Sequence, residues 1–278
     1  MRREEHYPNR TKGINMKTPP VILEITNSIA RITFNRPDAY NAINTESVLL
    51  LHDIVNELYE NKDVRAVVLC GSGEKAFCAG GDVTEFAKAG NKIESTVRKM
   101  TGYLHVAISR LAWLECPVIA EVQGVAAGAG LSFVAACDLA ISSSSATYTS
   151  AYTKIGFTPD GSSTYFLPRL LGRKRVFELY FTNRVLSATE AMSWGIVNQV
   201  VPDDKLVDTT KEVAIKISQG PTKAFAGVKK LVMMSSQDSL ESQMERETRL
   251  ITEMTSSNDG IEGVQAFAQR RKPTFRGN

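Results

Sequence analysis

The sequence is poor in the residues that hold metals or cross-links. Its 278 residues include only four cysteines and three histidines. Cys70, Cys78, Cys116 and Cys137 form no CxxC pair, and His6, His52 and His105 do not fall at ligand spacing beside them. No metal site is expected, and the thiols should be free and buried. No run of about 18 apolar residues is present, so no membrane-spanning helix is expected. The polar start lacks the apolar stretch that directs secretion. An excess of one charge is missing as well: 33 Lys and Arg against 30 Asp and Glu leave +3, spread along the chain. Nucleic-acid binding therefore has no electrostatic footprint. The expected compartment is reducing and cytoplasmic, with an organellar matrix left open by the Arg-rich residues 1–15.

What is present is ordinary globular usage, 43% hydrophobic and 23% charged, enough to bury a core. Val21 to Ile25 and Ile29 to Phe34 read as a β-hairpin. A helix begins near Thr45, with Val48, Leu51, Val55 and Leu58 on one face. Ala66 to Cys70 and Val118 to Val122 are apolar on both faces, as buried parallel strands are. Between them a long helix covers roughly 91–114. A Gly/Ala-rich segment then leads into a helix ending near Cys137, and Leu139 to Ser142 is a further strand. From Arg173 onward the pattern is mostly helical, broken by a strand from Ile196 to Val201. The class is α/β. Residues 1–15 read as a flexible N-terminal extension, 16–205 as the core and 206–278 as a helical C-terminal region.

Two glycine-rich turns each follow a buried strand: Phe77-Cys78-Ala79-Gly80-Gly81-Asp82 and Gly124-Val125-Ala126-Ala127-Gly128-Ala129-Gly130. Small residues let a ligand approach the backbone, and a helix N-terminus leaves N–H groups unpaired. Two such turns, if they converge, can supply two donors to one developing oxyanion; close packing of helix on strand is the structural alternative. Competing glycine motifs fail in detail. After Gly71-Ser72-Gly73 the residues from Phe77 to Asp82 read as loop where a dinucleotide fold starts a helix, and no GK[ST] closes a phosphate loop. Gly130-Leu131-Ser132-Phe133-Val134 lacks the last glycine of a nucleophile elbow.

NRPDAYNAIN, KAFCAGGDVTEF, PVIAEVQGVAAGAGLSFVAACDLAI, KIGFTPDGSSTYFLPRLLG and LSATEAMSWGIVNQVV, in this order and spacing, resemble the enoyl-CoA hydratase/isomerase (crotonase) superfamily over Val21 to Phe275. The resemblance implies a spiral of ββα repeats with a helical trimerisation region, a homotrimer or dimer of trimers, and an acyl-CoA substrate. No separate cofactor is implied, since coenzyme A is part of the substrate. By position it puts the two oxyanion donors on the backbone N–H groups of Gly81 and Ala129. It aligns Ala39, Ala79, Gly80 and Asp82 with the CoA pocket, Asp82 also being a helix cap, and Phe267 and Arg270 with the residues that meet the adenine end.

Departures from the family pattern bear on the reaction. Hydratases of this type carry two glutamates at positions that here hold Ser132 and Tyr152, and water addition needs the work that the two share. An acid stands instead at Asp160, in a Pro-Asp-Gly turn that on pattern alone is a turn residue or helix cap. Several enoyl-CoA isomerases of the superfamily place their catalytic acid at this turn. The resemblance thus implies an isomerase moving a double bond from 3-enoyl-CoA to 2-enoyl-CoA with Asp160 as base, Tyr152 being read first as a pocket wall, with hydrogen-bond donor and plain core as its alternatives. Hydration, ring-epoxide isomerisation and a non-catalytic acyl-CoA-binding module are the alternatives.

Overall fold

The apolar runs assemble into two sheets in a computed structural model that describes residues 18–278. The extension expected over residues 1–15 lies outside the described residues. Strand β1 (Val21–Thr26) turns through Asn27 and Ser28, at φ 51° and 63°, into the antiparallel β2 (Ile29–Phe34). Two consecutive left-handed residues match the right-handed twist of the flanking strands. Ala30, Ile32 and Phe34 alternate into the core, the period of two expected of a strand. Strands β3 (Ala66–Gly71), β5 (Val118–Val122), β7 (Leu139–Ser143) and β10 (Gln199–Val201) join in parallel. The order is β1-β2-β3-β5-β7-β10.

A second sheet of four short strands lies beside the first: β4 (Ala76–Cys78), β6 (Val125–Ala127), β8 (Thr147–Thr149) and β9 (Leu186–Ser187). A long strand of the first sheet repeatedly passes, within a few residues, to a short strand of the second and then to helix. The units are β3–β4–α2 (Val83–Ala89), β5–β6–α4 (Ala129–Ala136) and β7–β8–α5 (Ser163–Leu171). This is the ββα spiral. It corrects the reading of Phe77 to Asp82 as loop throughout, since Phe77 and Cys78 belong to β4. Strands of two or three residues are too short for alternation to register in the sequence.

Helix α1 (Thr45–Glu60) starts where Asn44 Oδ1 accepts the Ser47 N–H at 2.8 Å, which satisfies an orphan donor of the first turn. Val48, Leu51, Val55 and Leu58 are buried, each such side chain contributing about 1.5–3 kcal/mol. Helix α3 (Ile93–Trp113) packs along α1 and buries Met100, Leu104, Ile108 and Leu111.

Helices α6 (Arg173–Thr182), α7 (Ala188–Trp194), α8 (Leu206–Ser218), α9 (Thr222–Met234), α10 (Leu240–Thr255) and α11 (Asn258–Ala268) follow. The strand expected over Ile196 to Val201 is shorter, because the Ile196 N–H closes α7 on the Ala191 carbonyl at 2.9 Å. Ile196 and Val197 are core residues of a connecting loop instead. Leu206 and Ala214 seat α8 on Val68, Ile119 and Ile141 of the large sheet. The buried Asp259 carboxylate takes the N–H groups of Arg276 at 2.6 Å and Gly277 at 2.8 Å, returning the tail to α11. Helix α10 buries none of its residues, and Leu240, Met244 and Ile251 stand exposed on it. Among the described residues no helix is long and apolar enough to cross a membrane.

Candidate active site

The two glycine turns converge. Gly80 has φ 95°, and a Cβ there would lie 3.4 Å from the Ala129 nitrogen and 3.0 Å from the Ala127 carbonyl oxygen. Gly130 sits so close to β4 that a Cβ would fall 2.0 Å from the Cys78 carbonyl oxygen. Close helix-on-strand packing, the structural explanation for these glycines, is therefore real, and it brings the turns together. The Ile43 N–H donates to the Gly80 carbonyl at 2.7 Å and the Asp82 N–H to the Ile43 carbonyl at 2.9 Å. This isolated bridge leaves the Gly81 N–H on the opposite side. Ala129 is the first residue of α4, so its N–H has no acceptor within the helix. Among the described residues neither N–H meets a backbone acceptor outside the helices and strands.

Ala79, Gly80, Gly81, Gly128 and Ala129 line a cavity of ≈ 690 Å³, within the size range of small-molecule sites. Its apolar wall comes from Phe86 of α2, from Val97, Met100 and Leu104 of α3, and from Phe157. Asp160 and Tyr152 complete it beside the turns, and Glu94 lies on the lining as well, paired at 2.8 Å with Arg98.

Asp160 does not cap the helix that follows it. Ser162 occupies the cap position of α5 and no side chain caps that end. Asp160 Oδ1 instead accepts the Tyr152 hydroxyl at 2.7 Å. The Asp160 backbone carbonyl accepts the hydroxyls of Ser163 at 3.0 Å and Ser132 at 3.2 Å. Gly161, at φ 59°, donates its N–H to His105 Nε2 at 3.3 Å. Ser132 Oγ lies 3.0 Å from Tyr152 Oη. Burial first, then the charge of Asp160, pushes the Tyr152 hydroxyl far above the usual tyrosine range. Tyr152 therefore keeps its proton and is the donor to Asp160.

A family model described as Enoyl-CoA hydratase/isomerase matches residues 24–278. The chain belongs to this family. It is 36% identical over 255 residues to a "Probable enoyl-CoA hydratase" of Rhodobacter capsulatus, covering 91% of this chain and 96% of that one. It is 31% identical over 263 residues to the "1,2-epoxyphenylacetyl-CoA isomerase" of Escherichia coli, covering 92% and 98%. The crystal structure of an enoyl-CoA hydratase from Bacillus anthracis superposes with a TM-score of 0.87 at 31% identity, covering 93% of this chain and all of that one. The protein is thus an enzyme of the enoyl-CoA hydratase/isomerase family, and hydratases and isomerases both occur among its relatives.

The remaining residues that family resemblance singles out are dispersed. Asp82 caps α2, accepting the N–H groups of Thr84 at 3.0 Å and Glu85 at 3.2 Å, and pairs with Arg36 at 2.7 Å. Burial acts to raise its carboxyl, but Arg36 and the capped N–H groups outweigh it and hold the group low. Asp82 is absent from the cavity lining, and so is Ala39. Ala39 ends the short turn Pro37–Ala39, next to Tyr40, whose carbonyl accepts the Ala79 N–H at 3.0 Å. Phe267 and Arg270 are exposed at the end of α11, Phe267 at 87%, and neither lines the cavity of this chain.

Two other carboxylates have structural partners in this enoyl-CoA hydratase/isomerase family member. Glu85 receives the Thr45 N–H at 2.9 Å and its hydroxyl at 2.6 Å, and the buried Glu121 pairs with Arg31. Neither lines the cavity. Cys78, fully buried at the end of β4 where the first turn begins, has its thiol pushed up to about 12 by burial. Sequence reasoning did not single out Phe86, Phe157 or His105 for this site. Phe86 and Phe157 are brought together across 71 positions with ring centroids 6.1 Å apart, and no local spacing announces such a pair.

Proposed function

We propose that the protein is an enoyl-CoA isomerase that converts 3-enoyl-CoA to 2-enoyl-CoA with Asp160 as its single base. The observation that carries this reading is the placement of Asp160 in the cavity wall beside the two converging turns, with Ser132 and Tyr152 where family hydratases carry glutamates. The thioester carbonyl binds between the N–H groups of Gly81 and Ala129. Asp160 removes a proton from C2, the electron pair delocalises into a dienolate, and its charge rests on the held oxygen. The protonated carboxyl then returns the proton to C4. One base on one face completes the 1,3-shift, and no water is consumed. An oxyanion donor is worth about 10²–10³ in rate, so the two turns contribute on the scale of the base itself.

The small residues Ala39, Ala79 and Gly80 admit the nucleotide of CoA, with Asp82 beside them. The adenine end meets Phe267 and Arg270 of a neighbouring copy in a homotrimer or dimer of trimers. Their exposure at the end of α11, away from the chain's own cavity, supports that placement. The enzyme acts in the cytoplasm or an organellar matrix.

A panel of acyl-CoAs followed by mass and by proton exchange in D₂O tests the reaction. A mass-neutral product with exchange at C2 supports isomerisation, whereas a gain of water overturns it in favour of hydration. Asp160→Asn tests the base: turnover should fall by about 10²–10⁴ with melting temperature and CoA binding nearly unchanged. A folded Asn variant that exchanges the C2 proton at the wild-type rate would remove Asp160 from the mechanism.

A further inference from the structure

Tyr152 stands between the base and the oxyanion turn. Its Oη donates to Asp160 Oδ1 at 2.7 Å and lies 3.0 Å from Ser132 Oγ. Ser132 Oγ in turn is 3.2 Å from the Gly128 carbonyl, and Gly128 immediately precedes Ala129. Ser132 is fully buried in α4, the helix whose first residue is Ala129. A tyrosine hydroxyl has one proton, and Tyr152 gives it to Asp160. At the contact with Ser132 the serine is therefore the donor whenever that hydrogen bond forms. Ser132 also has one proton, shared among Tyr152 Oη, the Asp160 carbonyl and the Gly128 carbonyl, so the fixed direction is that of the Tyr152-to-Asp160 step, ending on one carboxylate oxygen. No hydrogen bond engages Asp160 Oδ2 among the described residues, which leaves that oxygen for chemistry.

The backbone of this turn is pinned by the Ser132 and Ser163 hydroxyls on the Asp160 carbonyl and by the Gly161 N–H on His105, whereas among the described residues the Asp160 carboxylate itself is restrained by a hydrogen bond from Tyr152 alone. A charge-assisted hydrogen bond from a buried hydroxyl fixes such a group more firmly than a neutral one. Resting on the assignment of Asp160 as base, we infer that Tyr152 is a positioning residue: it holds Asp160 in register with the Gly81 and Ala129 donors through Ser132, and does not itself move a substrate proton. The small residues beside it leave room for this. A Cβ on Gly128 would sit 4.0 Å from the Tyr152 ring carbon that carries the hydroxyl. Misplacing a catalytic group by about 1 Å costs about 10²-fold, which sets the scale of the effect.

Tyr152→Phe, assayed with 3-hexenoyl-CoA, should lower kcat by about 10- to 100-fold with KM changed less than about threefold. Exchange of the C2 proton in D₂O and migration of the double bond should fall together. Wild-type kcat overturns the proposal. A raised KM with unchanged kcat also overturns it, since that marks a wall contact. Retained exchange with lost migration overturns it as well, since the tyrosine would then be supplying the proton to C4. Ser132→Ala leaves the tyrosine ring in place and should show the same kcat-only pattern more weakly, which keeps the test open if the Phe variant does not fold. Asp160→Asn separates the two readings. If it abolishes exchange while Tyr152→Phe does not reduce it, the base stands and the positioning role falls; if it exchanges normally, both fall.

Discussion

Gly130→Ala is a sharp test of whether the contact between β4 and α4 sets the oxyanion geometry. The added Cβ would lie 2.0 Å from the Cys78 carbonyl oxygen and 2.9 Å from the Cys78 carbonyl carbon, where real Cβ atoms do not approach within 3.0 Å. The obstacle is backbone of a buried strand, so it cannot swing aside as a side chain could. Helix α4 must retreat by about 1 Å, and Ala129, the adjacent residue, moves with it while Gly81 stays on the other turn. A shift of about 1 Å at a reacting group costs about 10²-fold in kcat, about 2.7 kcal/mol of barrier. Overpacking should lower stability by about 1–3 kcal/mol. Steady-state kinetics with 3-hexenoyl-CoA, thermal melts and titration with free CoA measure the three quantities. CoA affinity should hold, since in the proposed binding mode the adenine end meets Phe267 and Arg270 and not α4. Gly102→Ala is the control: nothing lies within 4 Å of its Cβ position on α3, and it should gain about 0.5–1 kcal/mol. A Gly130→Ala variant with wild-type kcat and melting temperature would show that α4 and β4 slide freely, and would remove the packing basis for the paired donors.

Glu190 accepts the N–H and hydroxyl of Ser187 and pairs with Arg184, and the Ser187 N–H chiefly holds its carboxyl at about 2 instead of the ordinary 4.5. A depressed carboxyl stabilises fully above about 4.5 and loses its contribution as pH falls through about 2. Glu190→Gln should therefore melt lower than the parent at pH 6, with the gap closing as the pH approaches 2, and a constant gap would refute this assignment. In solution the protein should be a trimer or hexamer, three or six times 30.5 kDa by light scattering at micromolar concentration. Val232 and Ile251 at 66% exposure and Phe267 at 87% are large apolar side chains left exposed on α9, α10 and α11, the region expected to trimerise; a monomeric mass would refute it.

Legibility in the sequence followed element length. The β1–β2 hairpin and helices α1 and α3 are long enough to show their periods, and β3 and β5 are legible as apolar runs. The second sheet was not legible, because β4, β6 and β8 hold three residues each and β9 two. Such strands are specified by pairing with one another, not by their own composition. At the site, glycine spacing marked both turns, and only family resemblance separated Asp160 from an ordinary Pro-Asp-Gly turn. Tyr152 is both the wall residue favoured from the sequence and the hydrogen-bond donor given as an alternative, but the sequence did not name Asp160 as the acceptor. That contact depends on the η-turn Tyr152–Ile155 folding back on Asp160, eight residues on. Ser132 joins from 28 residues before Asp160, across a tertiary contact with no local signature.

Cys78 places sulfur three residues ahead of Gly81 in a protein whose family acts on thioesters. Thioesters pass their acyl groups to thiolates, so a reactive cysteine here would be a route to self-acylation. Burial pushes the Cys78 thiol up to about 12, so at pH 7 it is ionised far less often than a thiol at the ordinary 9.0. The thiol is also shielded, with none of Cys78 exposed. Tight packing beneath the first turn therefore has a chemical result besides a geometric one. It leaves the protein inert toward acyl capture and toward alkylating reagents at this residue, so thiol labelling of the folded enzyme should bypass Cys78.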